Sequence, residues 1–297
     1  PKRFGVDAII FFQDILTPLA PMGAPFVFRP GPVLEKPIRS ASDIAALKRF
    51  DPSRELRFVY DIIRSVRSSL AGELPLLGFA GAPLTLAFFL IAGRSPGLDP
   101  AAARALMTSD AGTFHRLLDL LAEVTIDYLQ YQIDAGADAV QLFESTADLL
   151  SPEEYAEFAH PYQVKVLSAL AGRVPAILFA KDQPNVDLMV ESGADVLSIS
   201  AIANLAEAKQ QYGNRVAFQG NVDNRLLAEG TLDQIDEAVL TCLTAGGHQG
   251  HILNLGHGLL ANTPVEHVQR LIELSRMVRP SPESIESAAE YQTHDAE

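Results

Sequence analysis

Cysteine is almost missing from this chain: Cys242 is the only one in 297 residues. A single thiol excludes an internal disulfide framework and any zinc site built on several thiolates, and it fits a reducing cytoplasm. It falls in "IDEAVLTCLTAGG" (235–247), an apolar helical stretch where a thiol is expected to be buried and inert. Positive charge is also scarce: 23 Lys and Arg stand against 37 Asp and Glu, a formal charge of −14. That balance argues against non-specific binding of nucleic acid or of an anionic membrane surface, whereas an acidic small substrate needs only local positive charge. No apolar run reaches the roughly 18 residues of a membrane span. Three signatures that would announce a mechanism are absent as well: G-x-G-x-x-G after the first strand, the P-loop and the G-x-S-x-G elbow. With 48% hydrophobic and 20% charged residues, the composition is that of a soluble globular protein. No secretory signal is visible. The chain opens on Pro1, without methionine and almost directly into a strand, so it is expected to continue upstream, and targeting from that end stays open.

What is present is a series of short apolar runs separated by helix-like stretches. Strands are expected at Val6–Phe12, Leu74–Ala80, Ala139–Phe143, Ala176–Ala180, Val196–Ile199, Val216–Gln219 and Ile252–Leu255. They do not alternate polar and apolar, as strands buried on both faces in a parallel sheet do not. Helix starts are marked by Asp51-Pro52, Asp99-Pro100, Ser151-Pro152-Glu153-Glu154, and by capping boxes at Thr231/Gln234 and Thr263/Glu266. The longest helix, about Thr113–Ala135, repeats apolar residues at Phe114, Leu117, Leu118, Leu121 and Val124. "DAGADAV" (134–140) and "ESGADVL" (191–197) each close a helix on a glycine and launch a strand.

Repeated β-α-β units give either an open doubly wound sheet or a closed barrel. A barrel needs eight strands, and the missing one would lie upstream of Pro1. Residues 24–40 are Pro-rich and read as a loop or hairpin excursion. Residues 1–278 are expected to form one domain, and 279–297 a polar, acidic, disordered tail.

In a parallel α/β barrel the chemistry sits at the C-terminal ends of the strands. Those ends carry Gln13-Asp14, Gly81-Ala82-Pro83, Glu144-Ser145-Thr146, Lys181-Asp182, Ser200, Gly220-Asn221 with Asp223, and Gly256-His257-Gly258. Asp14, Ser145 and His257 are the functional candidates. Asp182 and Asn221 read equally well as local hydrogen-bonding residues. His248, His251 and His257 resemble a ligand set on paper, but His251 and His257 bracket a strand and lie roughly 20 Å apart at about 3.3 Å per residue. No metal site is expected. His115, His160 and His267 fall in helices, as surface or cap residues.

"FGVDAIIFFQDIL" (4–16), "GFAGAPLTLAFFLIAG" (78–93), "QLFESTADLLSPEEYAEFAHPY" (141–162), "FQGNVD" (218–223) and "NLGHGLLANTPVEHV" (254–268) together resemble the uroporphyrinogen decarboxylase family, in its order and over nearly the whole chain. The resemblance implies a single TIM-like (β/α)8 barrel, here apparently lacking its N-terminal strand, and a homodimer. It implies decarboxylation of the four acetate side chains of uroporphyrinogen to give coproporphyrinogen, with no cofactor. It implies Asp14 as the central acid, with Ser145 and His257 as substrate contacts and Phe89 where the family usually has a site tyrosine. The family's N-terminal arginine motif is absent, Ser200-Ala201 replaces a common Asp-Trp pair, and Asp148 stands at a usual glycine. The physical reading agrees: an ionised carboxylate offers about four lone-pair directions and no donor, which suits the four N–H groups of a puckered porphyrinogen. The glycines beside His257 are expected to let the backbone approach the macrocycle closely. Two alternatives stand beside this reading: a non-catalytic or divergent tetrapyrrole-binding paralogue, and a corrinoid- or thiol-dependent methyltransferase of the same superfamily, whose relatives bind zinc through His and Cys.

Overall fold

The computed structural model describes residues 3–29, 31–95, 100–183 and 185–278. The acidic tail expected at 279–297 lies outside the described residues. Cα packing divides the chain into two compact units: Val6–Ile199, and Pro1–Gly5 with Ser200–Glu297.

The larger unit carries β1 (Ile9–Ile10), β2 (Phe26–Phe28), β3 (Pro32–Leu34), β4 (Leu76–Gly81), β5 (Ala139–Glu144), β6 (Ala176–Ala180) and β7 (Val196–Ser198). β1, β4, β5, β6 and β7 pair successively in parallel. β2 and β3 form the antiparallel hairpin expected within 24–40. Every residue of β6 is buried, as a strand covered on both faces must be.

β1 is much shorter than the apolar run Val6–Phe12 suggests, and its partner strand shows why. The odd-numbered residues of β4 turn their peptide groups toward β1: Ile9 N–H donates to Pro75 O and Phe11 N–H to Leu77 O. At Phe79 the ladder stops. The buried Gln132 amide takes both of its backbone groups, accepting from Phe79 N–H at 2.9 Å and donating to Phe79 O at 2.8 Å. The chain beyond Phe11 is therefore released from the sheet before Asp14.

Helix starts follow local chemistry. Asp51 caps Ser53 N–H, and Ser151 and Glu154 form a reciprocal capping box. Asp99 lies outside the described residues, and Pro100 is itself the cap of the helix Ala101–Ser109. The helix Ala111–Ala135 starts two residues earlier than expected, on an Asp110 cap, and buries Phe114, Leu117, Leu118, Leu121 and Val124. It ends on Gly136 at φ +112°, and Gly193 adopts +82°, the left-handed region glycine favours. A π-helical turn, Tyr155–Ala159, precedes the helix His160–Leu170.

The smaller unit pairs β8 (Ala217–Val222) with β9 (His251–Leu255) in parallel. β8 runs past Gln219, so Gly220 and Asn221 are strand residues and not part of the following loop. The Thr231/Gln234 capping box forms. The expected Thr263 box does not: Pro264, extended at ψ 138°, is the cap of the helix Val265–Met277 and supplies no side-chain bond. Starting one residue late puts Glu266 one place short of the reciprocal position, and Thr263 Oγ1 is left buried without a partner.

Candidate active site

Asp14 follows β1 in the released segment. Its Oδ1 accepts Leu16 N–H at 2.8 Å, and its carbonyl accepts the Thr17 N–H and hydroxyl at 3.1 and 2.7 Å. This Asx turn fixes the carboxylate through one oxygen and leaves Oδ2 for a ligand. β4 lies between β1 and β5; Asp14 lies four residues beyond Ile10, the last residue of β1, and Ser145 is the first residue beyond β5. Phe89 lies on the helix Pro83–Ala92, which leaves the end of β4, and is half-buried. Asp14, Phe89 and Ser145 all belong to the larger unit. His257 belongs to the other unit, exposed in the turn after β9.

A series of aromatic rings crosses the sheet just before these ends. Phe12 stacks on Phe79 at 6.4 Å, Phe79 meets Phe143 edge-on at 5.7 Å, and Phe143 meets Phe179 at 5.6 Å. A side chain at Gly78 would meet Gln132 and Ala137, so that face of β4 is the one covered by the long helix. Phe79, one residue on, points to the opposite face. Phe12 is 88% exposed, which leaves the first ring open to a ligand. A cleft of about 360 Å³, lined by Ile9, Ile10, Phe12, Gln13, Phe58 and Ile62 among others, is apolar and gathers no acid or base.

Glu144, the last residue of β5, is completely buried. Its Oε1 accepts from Thr85 Oγ1 at 2.5 Å and Thr146 Oγ1 at 3.2 Å, and Oε2 accepts from Gln163 Nε2 at 3.3 Å. Tyr155, opening the π turn, donates to Gln163 Oε1 at 2.8 Å. Burial pushes the Glu144 carboxyl up to about 7 from an ordinary 4.5, against the pull of its hydrogen bonds from Thr85, Gln163 and Thr146. Sequence reading placed Glu144 at a strand end but passed over it for Ser145. The available signals were Thr85 inside an apolar helix and Gln163 on the buried face of another.

Lys181 is a cation at a strand end. It follows β6 and pairs with Asp148 at 2.8 Å. Lys36 pairs with Asp43, and Arg39 Nε donates to Ile91 O. Asp182 has φ +46°, an uncommon conformation for a non-glycine residue.

In the smaller unit Asn221 is structural. Its Nδ2 donates to Ser200 O at 3.1 Å and Ala203 O at 2.8 Å. Asp223 caps the next helix through Arg225 N–H. Ser200 is 4% exposed, and its hydroxyl is buried without a partner. The expectation for the glycines beside His257 needs correction. Neither Gly256 nor Gly258 has positive φ, and a side chain on Gly256 would meet Ala201 N at 2.3 Å. Gly256 makes room for the chain's own backbone, while nothing lies within 4 Å of the Gly258 position.

Cys242 is buried, and burial pushes its thiol up. His251 Nε2 meets Gly220 O at 2.7 Å, and burial lowers its affinity for a proton. Among the helical histidines, His115 stacks on Phe158 and meets the Tyr162 hydroxyl at 2.8 Å. His267 meets Leu227 O at 2.8 Å, and His160 has a buried, unpartnered Nε2. All three are half-exposed, and His160 and His267 lie in the first turns of their helices. Among the described residues no three His, Cys, Asp or Glu converge as a metal site.

A family model described as uroporphyrinogen decarboxylase (URO-D) matches residues 1–278. The chain belongs to the uroporphyrinogen decarboxylase family. It is 37% identical to the uroporphyrinogen decarboxylase of Microcystis aeruginosa, over 93% of this chain and 80% of that one. It is 40% identical to the uroporphyrinogen decarboxylase of Syntrophotalea carbinolica, over 91% of this chain and 79% of that one. Among solved structures it is similar to a methyltransferase from Methanosarcina mazei, with TM-score 0.78, 21% identity, and coverage of 92% of this chain and 81% of that one. A B12-independent methionine synthase from Shewanella sp. matches with TM-score 0.57, 13% identity, and coverage of 92% and 82%. At such identities the likeness is one of fold, an α/β fold of the TIM-like kind, and not of reaction.

Proposed function

We propose that this chain is a carboxy-lyase that converts uroporphyrinogen to coproporphyrinogen in tetrapyrrole biosynthesis, without a cofactor. The observation that carries the reading is the family match over residues 1–278. In the mechanism, Asp14 holds the macrocycle by accepting pyrrole N–H bonds through its outward oxygen, with the exposed Phe12 ring as an apolar wall. When a pyrrole is protonated at ring carbon it becomes cationic. It then receives the electron pair released as the acetate carboxylate leaves as carbon dioxide; a proton delivered to the remaining methylene carbon makes a methyl group, and loss of the proton first added at ring carbon restores the neutral pyrrole. A fixed anion beside this cation stabilises it more than the neutral ground state, so the carboxylate favours the transition state.

In this reading Ser145, Lys181 and His257 are each assigned to substrate carboxylates. Phe89 supplies a ring where a tyrosine would add a hydroxyl. The same reading extends to a cytoplasmic homodimer, which light scattering on the purified protein tests. The deciding experiment is an anaerobic assay with uroporphyrinogen in the presence of a chelator. Coproporphyrinogen is expected. Porphyrinogen binding without carbon dioxide release would establish the non-catalytic alternative, and activity that depends on stoichiometric zinc would revive the methyltransferase-like one.

A further inference from the structure

We infer that Glu144 and Thr85 are positioning residues: the buried Glu144 carboxyl orients the Thr85 hydroxyl, and Thr85 fixes the backbone of Ser145. With the Glu144 carboxyl ionised, the chain of bonds has one direction. The Thr85 hydroxyl has a single proton, which lies on Glu144 Oε1 at 2.5 Å. Its oxygen is then free to accept Ser145 N–H at 2.8 Å. Ser145 is the first residue beyond β5, where the sheet no longer supplies a partner for this amide. Thr85 is therefore what sets the direction in which Ser145 leaves the strand, and with it the position of the Ser145 hydroxyl. Among the described residues that hydroxyl has no partner of its own. Thr85 also lies one helical turn before Phe89 on the helix Pro83–Ala92, so both proposed substrate contacts share one anchor.

The surroundings of Glu144 support a placing role over a packing one. An isolated buried carboxylate costs several kcal/mol, and an apolar residue of similar volume would fill the same space without that cost. The carboxyl nevertheless accepts bonds from three neutral donors, and two of them border Ser145: Thr85 in contact and Thr146 in sequence. The third, Gln163, is held in turn by the Tyr155 hydroxyl from the π turn. Such turns are frequent where a helix must aim a side chain at a functional site.

The inference rests on the decarboxylase reading only for its kinetic test. With uroporphyrinogen as the probe, Thr85→Val is expected to raise KM or lower kcat/KM about tenfold, the loss of one hydrogen bond in the site. Thr85→Ser keeps the hydroxyl and is expected to restore most of that loss. Ser145→Ala alone lowers kcat/KM, and adding Thr85→Val to it is expected to cost less than about twofold more, because the two act through one group. Independent, multiplying effects, or a Thr85→Val protein with wild-type kinetics, would overturn the inference. A second measurement does not need activity: amide exchange at Ser145 is expected to quicken more than about tenfold in Thr85→Val and Glu144→Leu, with β6 amides unchanged. If wild-type protein fails to turn over but the exchange effect is present, the decarboxylase reading fails and the positioning role stands. Unchanged exchange at Ser145 sinks the positioning role whatever the activity.

Discussion

At the end of β5 the buried polar group is a carboxyl, whereas at the end of β8 it is a thiol and an imidazole beside a backbone carbonyl, with a structural amide next to them. Burial acts on all of them in the same sense, toward the neutral form. The outcomes differ because the starting values differ. Glu144 rises to about 7, into the working range of most enzymes. Cys242 rises from an already high 9.0 and His251 falls from 6.5, so between those values the β8 cluster holds one charge state. The larger unit therefore has a network that responds to pH beside its proposed substrate contacts. The smaller unit has one that does not, and it ties strand to loop through Asn221.

The largest expected effect tests where the chemistry lies. Asp14→Asn keeps an oxygen for the Leu16 amide but removes the charge, and is expected to lower kcat/KM on the order of 100-fold or more. His257→Ala is expected to cost about tenfold, as one lost hydrogen bond to substrate does. Steady-state kinetics that gave the two residues equal losses would erase the distinction between the units.

Stability against pH is expected next. A carboxyl with its folded value raised from 4.5 to about 7 makes the native state hold the proton longer than the unfolded chain. Stability from this group is complete below about 4.5 and falls as pH rises to about 7, by roughly 3 kcal/mol in all. Glu144→Gln removes the titration. The difference between wild type and variant in urea melts at pH 5 and pH 8 should change by about that amount, and a constant difference would show that Glu144 does not titrate there.

The flanks of His257 give a smaller contrast within one turn. Gly256→Ala drives a side chain into the Ala201 backbone and is expected to cost about 1–3 kcal/mol. Gly258→Ala enters open space and should stay within about 0.5 kcal/mol. Equal melting temperatures would remove the backbone-contact explanation for Gly256. Smallest is the Lys181–Asp148 pair, whose partners are 31% and 25% exposed. Asp148→Gly is expected to change stability by no more than about 1 kcal/mol, weakly dependent on salt. It should also tighten substrate binding by freeing Lys181; a rise in KM on this change would count against Lys181 as a carboxylate contact.

Much of the fold could be read from local pattern. Strands at β4, β5, β6 and β9 fall within two residues of their expected limits, because short apolar runs bounded by Gly and Pro have few other uses. The caps at Asp51, Ser151 and Thr231 involve residues three apart or closer, so they too are legible. Reading failed where a distant residue, or at Thr263 the conformation of the next residue, decided. Gln132, 53 residues from Phe79, cut β1 short. Pro264 displaced the Thr263 cap by a single extended residue. Gly256 was read as room for a ligand until the approach of Ala201 showed what it avoids.

The site divides in the same way. Asp14, Ser145 and His257 were legible as strand-end residues within family-like segments, and Phe89 as a departure at a family position. Glu144 was visible as a letter but not as a buried acid, since its state depends on Thr85, Thr146 and Gln163 closing around it. By itself the sequence determined the family and the alternation of strand and helix, because these depend on order and short-range pattern. Only the tertiary structure decided which site residues share a unit, how far each strand runs, and where a carboxyl meets enough burial to titrate near 7. Desolvation and hydrogen bonding are set by neighbours in space, which the order of residues does not state.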